Sequence, residues 1–209
     1  GIMSAQEKVY GYYFIDELLT DEVVAKLKRS LPVYQIPEES FLTDEKLMSL
    51  FYIGNHITAM ERADTFRRLS DSTDTYIYTG SDTSAMPAIH NMGFANTLLE
   101  MPLIFNRSMI NINTTSKAIR TGLPLRIFDI LSCGGFCISN YQEEIAELFT
   151  PGEEIVMYSS IEELCDLVAY YLDHDREREE IAHAGYEKLL NNYTYEITMQ
   201  QLLYKAFEK

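Results

Sequence analysis

The run Asn111-Ile112-Asn113-Thr114-Thr115-Ser116, continued by Arg120-Thr121-Gly122-Leu123-Pro124-Leu125-Arg126-Ile127-Phe128-Asp129 and closed by Gly134-Gly135-Phe136-Cys137-Ile138-Ser139-Asn140, decides how this chain is read. Met109 to Asn113 predicts a strand, and the Thr/Ser cluster after it a loop or a helix cap. Pro124 suits the first turn of a helix, Leu125, Phe128 and Leu131 continue it, and Gly134-Gly135 ends it. The short apolar run 136–139 then predicts a second, buried strand. Strand, helix, strand at this spacing is the pattern of a parallel sheet covered by helices.

The flanks extend the pattern. Helices are expected at 143–149, stopped by Pro151-Gly152, then at 161–172, 176–190 and from Tyr195 onward, with a strand at 154–158. Ser160 and Glu163 stand at capping-box spacing ahead of the second of these. Upstream, Leu18, Leu19, Val23, Val24, Leu27 and Leu31 predict one helix across 5–31, stopped by Pro32 and followed by a loop over 32–40. The apolar run 47–53 fits a buried strand or the first half of a helix. Ile57, Met60, Ala63, Phe66 and Leu69 keep a three-to-four spacing and predict a helix. Residues 75–79 are β-rich. Residues 81–99 read as loop with a short helix near 95–101, and 104–108 has no clear pattern. The expected fold is α/β: a single Rossmann-like parallel sheet with helices on both faces and an extra N-terminal helix. Residues 1–42 are expected to form a helical extension and 43–209 the Rossmann-like domain, with Gly1-Ile2-Met3 read as a cloning remnant ahead of an internal fragment.

Length and charge set the outer bounds. At about 150 residues per domain, 209 residues make one domain with a decorated end. The formal net charge of −15 argues against nucleic acid or an anionic membrane as a default partner. No apolar run reaches the roughly 18 residues of a membrane span, and the N-terminus lacks the order of a signal peptide. A cytoplasmic protein without a transmembrane segment is expected. Three cysteines, with neither C-x-x-C nor C-x-x-H, argue against a disulfide framework or structural zinc, and no metal site is expected. The P-loop and G-x-G-x-x-G patterns are both missing.

The charge is unevenly spread. Residues 1–100 hold 15 acids and 8 bases, residues 129–209 hold 17 acids and 5 bases, and 101–128 holds Arg107, Lys117, Arg120 and Arg126 with no acid at all. That basic window either draws an anionic ligand or answers acidic neighbours. It includes a helix start just past the carboxyl end of a strand, where free amides and the helix dipole favour an anion. Arg126 is placed either to hold a diphosphate or to pair with Asp129 or Glu144. Asp129 either accepts from ribose hydroxyls or complements the dipole. Gly122 and Pro124 shape the turn. Thr114, Thr115 and Ser116 donate to phosphate or cap a helix, and Arg62, beside Gly54-Asn55, is a further phosphate contact or part of a basic helix face. Glu143 and Glu144 touch a sugar or start a solvated helix.

The same residues carry a family likeness. Asn111-Ile112-Asn113, the run from Thr121 to Phe136, and Asn140-Tyr141-Gln142-Glu143-Glu144 resemble the C-terminal, donor-binding region of GT-B glycosyltransferases, most of all the bacterial spore-maturation-type branch. The resemblance continues through Pro151-Gly152-Glu153-Glu154, Ser160 to Leu164, Gly185-Tyr186 and Tyr193-Thr194-Tyr195. Related families carry a paired-glutamate motif whose second acid binds the ribose of a nucleotide sugar. Asp129 matches that position, while Thr121 stands where the first acid would be. The resemblance implies a nucleoside-diphosphate sugar as donor substrate, no other cofactor, and a missing N-terminal acceptor domain of the same polypeptide. On that reading Asn113, Thr114, Thr115, Arg120, Gly122, Pro124, Arg126, Asp129, Arg62 and Gly54 line the donor site, with no catalytic residue assigned. A non-catalytic nucleotide- or anion-binding module, or a protein-interaction module, is the competing reading.

Overall fold

The computed structural model describes residues 1–30 and 41–207. In chain order the elements are α1 (Ile2–Glu7), α2 (Ile15–Leu18), α3 (Asp21–Ser30), α4 (Asp44–Lys46), a π-helical stretch (Leu47–Gly54), α5 (Asn55–Ser70), β1 (Tyr76–Ile77), β2 (His90–Asn91), α6 (Met101–Arg107), β3 (Asn111–Asn113), α7 (Leu125–Ser132), β4 (Cys137–Asn140), α8 (Glu143–Leu148), β5 (Val156–Tyr158), α9 (Ile161–Asp173), α10 (Asp175–Asn192) and α11 (Tyr195–Phe207).

Strands β3, β4 and β5 form a parallel sheet in that order, with Ile112 paired to Ile138 and Ile138 to Val156. Strand β4 is central, and all four of its residues are buried. Its neighbours alternate between two cores. Cys137 and Ile155 pack with Ile127, Ile130, Leu131, Ile145 and Phe149 from α7, α8 and the residues after it. Ile138, Val156 and Tyr158 pack with Leu69, Leu164, Val168, Tyr171 and Ile181 from α5, α9 and α10. A period of two therefore feeds both faces of one sheet. The expected parallel α/β architecture is present, and β1 and β2 form a separate two-residue parallel pair.

Turn chemistry decides where the elements stop. The Gly134 amide donates to the Leu131 carbonyl (2.9 Å) and the Gly135 amide to the Ile130 carbonyl (3.0 Å), with Gly134 at φ +69°: the Schellman arrangement that closes α7. Ser160 Oγ accepts from the Glu163 amide (3.1 Å), and the Glu163 carboxylate accepts from the Ser159 amide (2.6 Å), so the capping box reaches back one residue further than its usual form.

Four details differ from the sequence reading. The single helix over 5–31 is three short ones, because the side chain of buried Gln6 donates to the Tyr12 carbonyl (2.8 Å) and accepts from the Phe14 amide (2.7 Å), stabilising a break. The 47–53 run is neither strand nor ordinary helix. It is π-helical and leads directly into α5, with the Tyr13 hydroxyl donating to the Ser49 carbonyl (2.8 Å). The expected helix near 95–101 begins only at Met101 and covers most of 104–108, because Asn96 Oδ1 accepts from the Leu98 and Leu99 amides and holds that stretch as a turn. The strand expected over 75–79 is confined to Tyr76–Ile77. The loop expected over 32–40 lies outside the described residues. Among those described, no helix is long and apolar enough to cross a membrane.

Candidate functional site at the carboxyl edge of the sheet

Side chains at the ends of β3 and β4 bind one another first. Asn113 Nδ2 donates to Ser139 Oγ and to Thr115 Oγ1, both at 2.9 Å. The Asn140 side chain accepts from the Thr115 amide (2.9 Å) and donates to the Thr115 carbonyl (3.1 Å), extending the sheet by one two-point contact. Thr115 Oγ1 donates to Gln142 Oε1 (3.2 Å). Of the polar residues placed in the donor site, Asn113, Thr114 and Thr115 are thus buried, and Asn113 and Thr115 are engaged within the protein. Their hydrogen bonds hold the edge of the crevice in shape.

One face of α5 grips the loop that follows β3. Thr58, Glu61 and Arg62 share that face by their i, i+3, i+4 spacing. Arg62 Nη2 donates to the Thr114 carbonyl (2.8 Å). Thr58 Oγ1 donates to the Gly54 carbonyl (2.8 Å), accepts from the Lys117 amide (3.2 Å) and lies 3.0 Å from Ser116 Oγ. With its proton committed to Gly54, Thr58 accepts from Ser116. Lys117 turns inward. Its ammonium donates to the Val9 carbonyl (3.1 Å), lies 3.6 Å from Glu61 Oε1 and sits 3.0 Å from the centroid of the Tyr10 ring. The Tyr10 hydroxyl donates to Glu61 Oε1 (2.7 Å).

Burial dominates the electrostatics of this node. It pushes the Glu61 carboxyl above its ordinary range against the pull of Lys117, and it lowers the Lys117 ammonium to about 8. Burial and the Glu61 charge raise the Tyr10 and Tyr158 hydroxyls. Glu61 Oε2, Thr65 Oγ1, Thr114 Oγ1 and the Tyr158 hydroxyl are buried without a hydrogen-bond partner among the described residues.

Gly54 contributes through space rather than through its amide. A Cβ there would lie 2.5 Å from Ala118 Cβ and 3.0 Å from the Ser49 carbonyl, so only glycine lets the 116–120 loop approach this closely. Beyond Ala118, Arg120 forms an ion pair with Asp16 of α2, which also accepts from Ser49 Oγ. An open groove of about 400 Å³ lies here between Asp16, Lys46, Ser49, Leu50, Ala118 and Arg120. Arg120 therefore faces the N-terminal helices, apart from Arg126.

The start of α7 forms the other wall. Gly122, at φ +85°, donates its amide to Glu144 Oε1 (2.9 Å), which ties the preceding loop to the first turn of α8. Pro124 is the N-cap residue, one position earlier than the first-turn place expected of it, and no side chain caps the amides that follow. Arg126, on the first turn, is exposed. Its guanidinium lies against the Phe105 ring (5.2 Å to the centroid) and the Met101 sulfur (3.7 Å) and has no carboxylate partner among the described residues. The two pairings considered for it, with Asp129 and with Glu144, are not formed. Asp129 is exposed on the second turn.

The structure thus brings Arg62, Asn113, Thr114, Thr115 and Gly54 together around one loop, groups Gly122, Pro124, Arg126 and Asp129 at α7, and turns Arg120 toward Asp16. Sequence reasoning passed over Glu61 and the inward course of Lys117. The i, i+3, i+4 spacing of Thr58, Glu61 and Arg62 was the one available signal. Among the described residues, no group of three or more His, Cys, Asp or Glu is placed to hold a metal ion.

A parallel strand-helix-strand unit with cationic side chains at the carboxyl ends of its strands is the arrangement of ligand-binding α/β domains. The glycosyl transferase-like family model matches residues 62–204, about two thirds of the chain, and the chain belongs to that family. Its role is in glycosyl transfer. No curated protein matches it. The matched segment contains Arg62 and every nominated residue from Asn113 to Asp129, while Gly54 lies outside it.

Proposed function

We propose that this chain is the donor-binding domain of a GT-B glycosyltransferase of the spore-maturation-like branch, receiving a nucleoside-diphosphate sugar between the 114–117 loop and the start of α7. The observation that carries the reading is Arg126: an exposed guanidinium without a carboxylate partner, on the uncapped first turn of α7 and three residues before exposed Asp129, inside the matched segment. When the bond between the sugar and the diphosphate breaks, negative charge builds on the departing phosphate oxygen. Arg126, the remaining donors of Arg62 and the first amides of α7 are suited to stabilise it. Asp129 accepts hydrogen bonds from the ribose hydroxyls. Arg120 joins only if it leaves Asp16. The donor needs no further cofactor in this scheme.

The acceptor is assigned to a second domain of the same polypeptide. In support, α11 has no buried residue and carries Tyr195, Met199, Leu202 and Leu203 along one side, an apolar stripe suited to a contact beyond this domain. Titration calorimetry of the chain with UDP, GDP and their sugars tests the site. Binding of one of them, lost or weakened in Asp129→Ala, is expected. No heat with any of them, and an Asp129→Ala variant indistinguishable from the parent, overturns the reading.

A further inference from the structure

Four contacts from one face of α5 converge on the loop after β3: Arg62 to the Thr114 carbonyl, Thr58 to Ser116 Oγ, Thr58 to the Lys117 amide, and Glu61 to the Lys117 ammonium. Lys117, a basic residue of the window read either as drawing an anion or as answering acidic neighbours, does the latter and is withdrawn from solvent beside Glu61, with its side chain 4% exposed. A lysine meant to touch a phosphate would not be buried against Glu61, the Tyr10 ring and the Val9 carbonyl. Its bonds instead fasten the loop from beneath, and Gly54 makes room for the same loop to lie close. Each hydrogen bond contributes only about 1 kcal/mol net. Three such bonds and one ion pair, on Thr114, Ser116 and Lys117, leave the loop one arrangement.

We propose that Thr58, Glu61 and Lys117 are positioning residues, which clamp the 114–117 loop to α5 so that the crevice is already in its binding shape when the diphosphate of the donor arrives. The inference rests on the donor-site reading above. None of the three needs to touch the ligand. They act through the loop, and through Arg62, whose guanidinium is oriented by the Thr114 carbonyl. Such pre-organisation lowers the ordering cost that binding must otherwise meet.

Thr58→Val is the decisive variant, because it keeps the shape of the side chain and removes the hydroxyl, and Thr58→Ser restores the hydroxyl. UDP and GDP affinities are measured well below the unfolding temperature, with amide hydrogen exchange on the same samples. Thr58→Val should weaken binding about tenfold, the scale of losing one to two well-placed contacts. It should also speed exchange at Ser116 and Lys117 while the β4 amides stay protected, and Thr58→Ser should behave as the parent. Lys117→Met, if it folds, should show the same pair of changes. A Thr58→Val chain that melts earlier but binds nucleotide as tightly as the parent overturns the clamp and leaves the donor site standing. Unchanged exchange in the loop overturns it as well. A parent chain that binds neither nucleotide overturns the donor-site reading, and with it the purpose of the clamp.

Discussion

Replacing Lys117 with Met in the full chain removes the cation that faces Glu61 and leaves that carboxylate, fully buried, with the Tyr10 hydroxyl as its remaining partner in the node. Breaking a buried pair from one side costs about 3–5 kcal/mol when the other charge stays ionised. For a chain of 150–250 residues, 1 kcal/mol shifts the melting temperature by about 2–4 °C, so a loss of roughly 6–20 °C is expected near pH 7, where Lys117, at about 8, is still mostly charged. The penalty must depend on pH. Burial already raises the Glu61 carboxyl, and Lys117 is the strongest influence pulling it down. Without Lys117 it rises further. A carboxyl raised in the folded state binds more protons there than in the unfolded chain. Its cost is therefore small below the ordinary carboxylate range and grows as pH rises through the folded value. The Lys117→Met penalty should shrink by at least half between pH 7 and pH 5. Urea unfolding followed by circular dichroism at both pH values gives the number, with Glu61→Gln and the double variant completing a cycle. The two single losses should exceed the loss in the double by about 1–3 kcal/mol. A penalty equal at both pH values, together with additive losses, would refute the reasoning, since it would mean that Glu61 carries no charge beside Lys117.

Three further outcomes are expected. Arg126→Ala should weaken UDP or GDP binding by about tenfold or more in calorimetry, the scale of a lost charge-assisted bond of 1.5–3 kcal/mol, and leave the melting temperature nearly unchanged because the side chain is exposed. Gly54→Ala should destabilise by about 1–3 kcal/mol despite the better helix propensity of alanine, since the new Cβ would meet Ala118 Cβ at 2.5 Å; a variant as stable as the parent in thermal melts would show that the loop yields freely. Ser160→Ala removes the cap of α9 and should cost about 1 kcal/mol in urea unfolding, with no effect on nucleotide binding.

Much of the fold was legible because its signals are local. Gly134-Gly135 closes a helix through main-chain bonds three and five residues back, and Ser160 with Glu163 caps one through bonds of three or four residues. The alternation at 137–138 and 155–158 feeds two cores, which a run of apolar residues between turn signals already suggests. The π-helical stretch was not legible. Its apolar run has neither the strand nor the helix period, and the contact at Ser49 comes from Tyr13, far away in sequence. The break after α1 was hidden for a similar reason, since Gln6 satisfies main-chain groups six and eight residues on.

For the site, sequence alone determined the strand-helix-strand unit, the acid-free basic window and the family likeness around Asp129, since these rest on residue types and spacings along one segment. Only the tertiary structure decided which cations are available. Four bases in the window look equivalent as charges, yet Arg107 lies exposed at the end of α6, Lys117 is folded inward onto Glu61, Arg120 is paired with Asp16, and Arg126 stays exposed beside Phe105 and Met101. The partners that make this division lie 21 to 108 residues away, on α5, α2, the segment after α1 and α6. Charge is a property of a residue, whereas its availability to a ligand depends on what the fold sets against it.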